Sequence, residues 1–288
     1  MDLSDLKVFE AVSRLGSMRR AASELHTVPS NVASRIRVLE EEWGICLFQR
    51  HARGVTPTPA GRRVLPYVAR LTKLAVDARS ARDDGTPNGD LVVGSLETTA
   101  ALRLAPLLVR FTKAYPEVRV AITTGTTARL LNDVIECRLD GAFVAGPVDH
   151  PHLDQQAFFR EELVLITAPS IRTLRELTAI ESLKTSVFQP GCSYRQRLEA
   201  TLAEMGIAIT EPQEFGSLDA IISCVSAGLG VTLMPRGVVA SSVQGGRLAA
   251  HKLPPSRAMV ETVFVRRKDA YVSSAMTALF DLIRSQTD

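Results

Sequence analysis

The stretch GSMRRAASELHTVPSNVASRIRVLEEEW, Gly16–Trp43, decides how the first third of this chain folds. Ser17 can cap a helix over Met18–Leu25, in which Ala21, Ala22 and Leu25 are small or apolar enough to pack closely on a neighbour. His26-Thr27 reads as a turn. A second helix begins at Val28 and tolerates Pro29 in its first turn, and its Val32, Ile36, Leu39 and Trp43 follow at spacings of 4, 3 and 4, a narrow stripe to bury. The opposite face carries Ser30, Asn31, Ser34, Arg35 and Arg37. Upstream, Leu6, Phe9, Val12 and Leu15 recur every three residues after Ser4, which can cap a helix that Gly16 then ends.

Two short helices joined by a tight turn, the second showing small polar and cationic side chains near its N-terminus, describe a helix-turn-helix reader. The major groove of DNA admits one helix. Asn pairs with adenine and Arg with guanine in bidentate fashion, while Ser reaches base edges or phosphates. A three-helix packing module with a polar outside stands as the alternative at this point. Charge is concentrated in this part of the chain: Lys and Arg exceed Asp and Glu by only 34 to 31 over the 288 residues, but residues 1–85 hold 14 against 10 and residues 86–288 hold 20 against 21. Within Arg14–Lys73 there are 11 basic residues and four glutamates. A solvated basic face and a polyanion partner both fit such an excess.

After Leu47-Phe48, an apolar anchor, Gln49–Thr58 reads as two short strands around a Gly-containing turn, a wing with Arg50, His51 and Arg53 at its tip suited to phosphates or a narrow minor groove. The residues Phe9-Glu10-Ala11-Val12, Gly16-Ser17, Ala21-Ala22 with Leu25-His26, Ser30-Asn31-Val32, Arg35-Ile36-Arg37 with Leu39-Glu40, Gly44, Leu47-Phe48 and Arg53-Gly54-Val55 with Thr58-Pro59-Ala60-Gly61 strongly resemble the LysR-type transcriptional regulators. Val28-Pro29 stands where that family usually has Ser-Gln, and Ala33 where it usually has Ser, which leaves the target sequence open. Arg19, Arg20, Ser30, Asn31, Ser34, Arg35, Arg37, Arg50, His51 and Arg53 are the candidate DNA-binding residues.

Beyond Gly61 the residues Val64, Val68, Leu71, Ala75 and Ala78 recur at 4, 3, 4 and 3 on a helix of about twenty residues, with Arg62, Arg63, Arg70, Lys73, Arg79 and Arg82 outside that seam. The helix runs into Asp83–Gly89, a string of turn formers. The resemblance implies an antiparallel linker-helix homodimer, often assembled into a homotetramer through the effector domain as well, acting on double-stranded DNA and on RNA polymerase.

From Asp90 strands and helices alternate. Leu91-Val92-Val93, Val118–Thr123, Ala142–Ala145, Leu163–Thr167, Ser186–Phe188, Val231–Met234 and Thr262–Val265 read as strands. Leu102–Ala114, Thr126–Leu139, Arg172–Ile180, Tyr194–Met205, Leu218–Ala227 and Ser273–Ile283 read as helices, giving a mostly parallel α/β sheet. In such sheets ligands sit beyond the carboxyl ends of strands, at helix N-termini. The loops there are hydroxyl-rich: Ser95-Leu96-Glu97-Thr98-Thr99, Thr123–Thr127, Gly191-Cys192-Ser193-Tyr194 and Gly216-Ser217. Together they suit a small anion, typically a carboxylate, although each alone reads more simply as an ordinary helix cap.

The resemblance extends through Pro106-Leu107-Leu108 with Phe111, Tyr115–Val118, Leu139–Ala142 and Ala227–Val231 with Pro235. It implies an effector domain of two α/β subdomains, similar to periplasmic solute-binding proteins, joined by crossover strands near Arg160–Glu162 and Val265–Arg267. The expected fold is thus α+β and multidomain. It has a winged helix-turn-helix at 1–58, a linker helix and hinge at 59–88, a first effector subdomain at 89–161 and 266–288, and a second at 162–265. Thr98 and Thr126 correspond to effector-holding positions, and Ser95, Glu97, Thr99, Gly125, Ser193, Tyr194 and Ser217 complete the candidate effector set.

No enzyme motif of the G-x-S-x-G, H-E-x-x-H or P-loop kind occurs, so neither catalysis nor a cofactor is expected. Cys46, Cys137, Cys192 and Cys224 are scattered and read as reduced thiols, with no metal set. Cys192 alone falls at a helix start, where a thiol is acidified, which makes a redox role conceivable. No apolar run of about 18 residues is present and the first residues, MDLSDLKVFE, are no signal peptide, so the expected location is the cytoplasm, away from membranes.

Overall fold

The computed structural model of the chain describes residues 2–52, 54–83, 85–180, 182–210 and 212–285. Two compact units divide it, the first formed mainly by Met1–Asp84 and the second by most of Gly85–Asp288.

In the first unit, α1 spans Leu3–Leu15, α2 Met18–Glu24 and α3 Pro29–Trp43. Asp2, rather than Ser4, caps α1: its carboxylate accepts the Asp5 N–H while the Asp5 carboxylate accepts the Asp2 N–H, both at 2.9 Å. A reciprocal box satisfies two orphan amides at once, which a single serine hydroxyl inside the first turn cannot do. Ser17 caps α2 as expected, and α3 starts from an extended Val28 with Pro29 in its first turn. The stripe Val32, Ile36 and Leu39 is fully buried against Phe9, Val12, Ala21 and Ala22. Strands β1, Phe48–His51, and β2, Gly54–Pro57, pair antiparallel from Phe48↔Pro57 to His51↔Gly54. Gly54 is obligatory there: its φ is +135° and a Cβ would stand 2.4 Å from the Gly16 carbonyl oxygen, the same oxygen that accepts the Val55 N–H.

Helix α4, Pro59–Ser80, is the long helix expected after the wing, but its apolar seam is divided differently. Val68 is buried and Val64 and Leu65 half-buried against the unit's own core, and Thr72 donates to Glu10 of α1 at 2.8 Å. The large apolar side chains left outward are Tyr67, Leu71, Leu74 and Val76, with 67%, 45%, 55% and 45% of their surface exposed.

The second unit contains a seven-stranded mixed sheet. Its strands are β3 (Gly89–Ser95), β4 (Val118–Thr124), β5 (Gly141–Ala145), β6 (Leu153–Thr167), β9 (Thr232–Pro235), β10 (Ala249–Lys252) and β11 (Met259–Arg267), while β7 (Ser186–Phe188) and β8 (Gln213–Phe215) form a separate parallel pair. The helices are α5 (Glu97–Thr99), α6 (Ala105–Ala114), α7 (Thr127–Ile135), α8 (Leu174–Leu177), α9 (Ser193–Glu204), α10 (Leu218–Ser226), α11 (Arg236–Gln244), α12 (Pro255–Ala258) and α13 (Ser274–Arg284). A π-helical turn, Ala100–Leu104, joins α5 to α6, so the expected helix at Leu102 begins five residues earlier, at Glu97. The expected Thr126–Leu139 helix stops at Ile135 and the one at Arg172–Ile180 shrinks to α8.

The sheet is parallel only where β3 lies between β4 and β5; every pairing of β6 and β11 is antiparallel. That departs from the mostly parallel sheet expected, because two long strands run between two α/β layers. Residues Leu153–Glu162 of β6 face β11, and Leu163–Thr167 of the same strand pair with β9 and β10. Strand β6 therefore changes partners after Glu162. The return does not fall at Val265–Arg267: Thr262–Val265 already pair with β5, so β11 changes layers at Met259–Thr262, where the register shifts. One apolar core is built around Phe111, Phe143 and Phe264 and another around Val164, Ile221 and Val239, while a third joins the two layers through Leu130, Val144, Leu165 and Leu198.

Candidate nucleic-acid interface and ligand cleft

Ser30, Asn31, Ser34 and Arg37 are exposed along α3, and Arg19 and Arg20 along α2. Because the apolar stripe of α3 is consumed by α1 and α2, these positions form its solvent face. Asn31 is oriented by Thr27, whose hydroxyl accepts its amide at 2.8 Å. Arg35 is different: its guanidinium turns inward to Asp5 of α1 at 2.9 Å and lies 3.6 Å from Asp2. Half-buried on this carboxylate pair, it ties α3 to α1 and is not presented outward as the sequence suggested. A partner 30 residues upstream cannot be seen in local periodicity. Arg50 and His51 are exposed on β1, and Arg53 lies outside the described residues.

In the second unit, four helix starts converge on one cavity of about 120 Å³. The β3 and β4 ends contribute Glu97, Thr98, Gly125, Thr126 and Arg129, and the opposite layer contributes Gln189, Cys192, Tyr194, Phe215 and Gly216. Side chains and backbone bridge the two walls. Thr98 and Tyr194 share a hydroxyl hydrogen bond of 3.4 Å, Ser193 donates to Thr127 at 2.9 Å, and the Ala128 N–H donates to the Gly191 carbonyl at 3.2 Å. The Leu218 N–H, first of α10, donates to Glu97 Oε1 at 3.0 Å. Glu97 thus fills the capping role for which the sequence offered Ser217, whose side chain makes no cap bond.

Of the effector candidates, Glu97, Thr98, Gly125, Thr126 and Tyr194 line the cavity. Ser95 is fully buried with its hydroxyl on the Leu96 carbonyl, and Thr99 is buried beside it. Ser193 and Ser217 do not line it: the Ser193 hydroxyl is bonded to Thr127, and Ser217 is exposed. Sequence reasoning missed Arg129, Gln189, Phe188 and Phe215. Arg129 reads as half of an exposed i,i+4 pair with Asp133, 3.8 Å away, and Phe188 and Phe215 as plain strand residues, although both end strands at the carboxyl edge where ligands sit.

Burial governs the titrating groups here. It pushes the Tyr194 hydroxyl up to about 12, so this group is a neutral donor and acceptor. The Cys192 thiol is also pushed up by burial, against the smaller pull of the Arg195 and Tyr194 amides. The helix start does not acidify this thiol, as the sequence reading allowed, because desolvation of a 5% exposed residue outweighs it.

The profile of bacterial regulatory helix-turn-helix proteins of the lysR family matches residues 3–62, and that of the LysR substrate binding domain matches residues 84–288. The HTH-type transcriptional regulator GltR of Bacillus subtilis (strain 168) is 38% identical over 285 residues, which cover 99% of this chain and 96% of that protein. Among solved structures, a full-length OxyR variant from Pseudomonas aeruginosa superimposes with a TM-score of 0.75 at 21% identity, covering 99% of this chain and 95% of that one. Full-length CbnR complexed with its target DNA gives 0.67 at 22%, covering 99% of both. These two share the fold.

Proposed function

The chain belongs to the LysR family of bacterial transcriptional regulators, and from that premise we propose that it works as a homodimer or homotetramer whose action on a promoter is switched by a small carboxylate-bearing metabolite in the cleft. It is a regulator and not an enzyme. On this proposal Ser30, Asn31, Ser34 and Arg37 of α3 read bases, Arg19, Arg20, Arg50, His51 and Arg53 hold phosphates, and Arg35 positions the reading helix. The outward Tyr67, Leu71 and Leu74 of α4 pair with a second copy, and the assembled regulator addresses RNA polymerase in the cytoplasm.

One observation supports the ligand site above all: hydroxyls from both walls, Thr98 and Tyr194, are almost wholly buried at the floor of a cavity and share a single long bond. Buried polar atoms so weakly paired gain by bonding a guest. A ligand can move the switch only through its differential affinity for two arrangements of the layers. The strands that would flex are β6 and β11, and their motion would alter half-site spacing or DNA bend.

Thr98→Val, nearly isosteric, removes one of those hydroxyls. Reporter transcription from the operator-linked promoter is expected to lose its response to growth conditions, while gel-shift affinity for operator DNA stays within about twofold of the parent. A variant that responds as the parent does would remove the cleft as the sensing site.

A further inference from the structure

Building on the cleft reading above, we propose that the effector is a small zwitterion of the α-amino-acid type, its ammonium taken by Glu97 and its carboxylate by Arg129 with the hydroxyls of Thr126 and Thr98. Charge complementarity supports this assignment. Among the described residues lining the cavity, Glu97 is the one carboxylate and Arg129 the one guanidinium. Glu97 is held across the cleft by the Leu218 N–H at 3.0 Å through Oε1, which leaves Oε2 without another described partner. Arg129, which lines the cavity, reaches Asp133 through Nε at 3.8 Å, and its two terminal nitrogens have no other described partner.

A simple carboxylate entering this space would meet the Glu97 charge with no cation of its own in a partly desolvated site, where like charges repel far more than in water. A simple amine would face Arg129 and the positive ends of the converging helices. A molecule carrying both charges leaves neither wall unpaired. About 120 Å³ is the space of roughly four water molecules, so glycine, alanine and serine fit within the cavity itself. The Tyr194 hydroxyl, neutral and held at the floor beside Thr98, is placed to bond the same guest.

The test is isothermal titration of the full-length protein with glycine, L-alanine and L-serine, with acetate, propionate and L-lactate as amine-free partners, and with L-alaninamide as a carboxylate-free one. At least one amino acid is expected to bind, and its amine-free partner and L-alaninamide to bind about tenfold more weakly or worse, the scale of a lost charged hydrogen bond. Glu97→Gln keeps an oxygen for the Leu218 N–H and so keeps the wall intact. In this variant the preference for the amino acid over its amine-free partner should vanish. No binding by any of the three amino acids, equal binding of the amine-free acids, or a preference that survives in Glu97→Gln would each overturn the zwitterion assignment. Amino-acid binding unchanged in Thr98→Val would instead overturn the cleft reading beneath it.

Discussion

The double variant Leu71→Glu/Leu74→Glu is expected to be a folded monomer that binds operator DNA about a hundredfold more weakly than the parent, or worse. Both side chains point away from the core of their own unit, 45% and 55% exposed on α4, so charging them costs that unit little. In a dimer the same residues, with Tyr67, would be buried twice over, each worth about 1.5–3 kcal/mol of apolar burial. Four carboxylates introduced into that seam replace this gain with desolvated, mutually repelling charge. Losing the dimer also loses the second half-site, and linked sites commonly gain about 10²–10⁴-fold over single ones. Sedimentation equilibrium measures the first consequence and gel-shift titration the second. Val68 and Val64, nominally in the same heptad seam, would not serve, because they pack on the core around Phe9 and Leu39 and their loss would unfold the reader. A Leu71→Glu/Leu74→Glu protein that remains dimeric would show that this face of α4 is not the interface.

Gly141→Ala should lower the thermal midpoint of the second unit by about 10 °C, the consequence of about 3 kcal/mol of overpacking. Gly141 opens β5, and a Cβ there would stand 2.2 Å from Phe264 Cζ and 2.8 Å from the Val265 carbonyl oxygen. Phe264 has nowhere to retreat: its ring centroid lies 4.9 Å from that of Phe143 and 4.9 Å from that of Phe280, within an aromatic cluster under the layer-crossing strands. The backbone oxygen is fixed by the pairing of β5 with β11. Differential scanning calorimetry resolves the change, and a midpoint shifted by less than about 2 °C would show that the strand pair can spread where it is drawn as tight.

The parts of the molecule legible beforehand are those whose cause is local. Val32, Ile36 and Leu39 announce α3 because burial repeats with the helix period, and Gly16 and Gly44, at φ +63° and +64°, mark helix ends that only glycine reaches cheaply. Thr98, Gly125 and Thr126 could be named as lining a cleft because they follow strand carboxyl ends. What escaped depends on distant partners. Arg35 meets Asp5, Glu97 meets Leu218, and the point where β11 leaves one layer for the other is set by which strand lies beside Thr262, not by anything in its own alternation of side chains. Strand β10 and helix α11 were missed for a different reason: Arg236–Gln244 is rich in Val and Ser, residues that favour helices weakly, and Ala249–Lys252 is too short to show a period.

The central claim, that α3 of paired chains reads a specific DNA sequence, is tested most directly by selecting duplexes bound by the purified full-length protein from a random pool. The expected result is enrichment of two related half-sites in inverted orientation, their centres separated by about 10–10.5 base pairs or a multiple of that spacing. Arg37→Ala is expected to relax the preference within each half-site. Recovery of duplexes with no common sequence, or of one unrepeated site whose selection Arg37→Ala leaves unchanged, would contradict the claim.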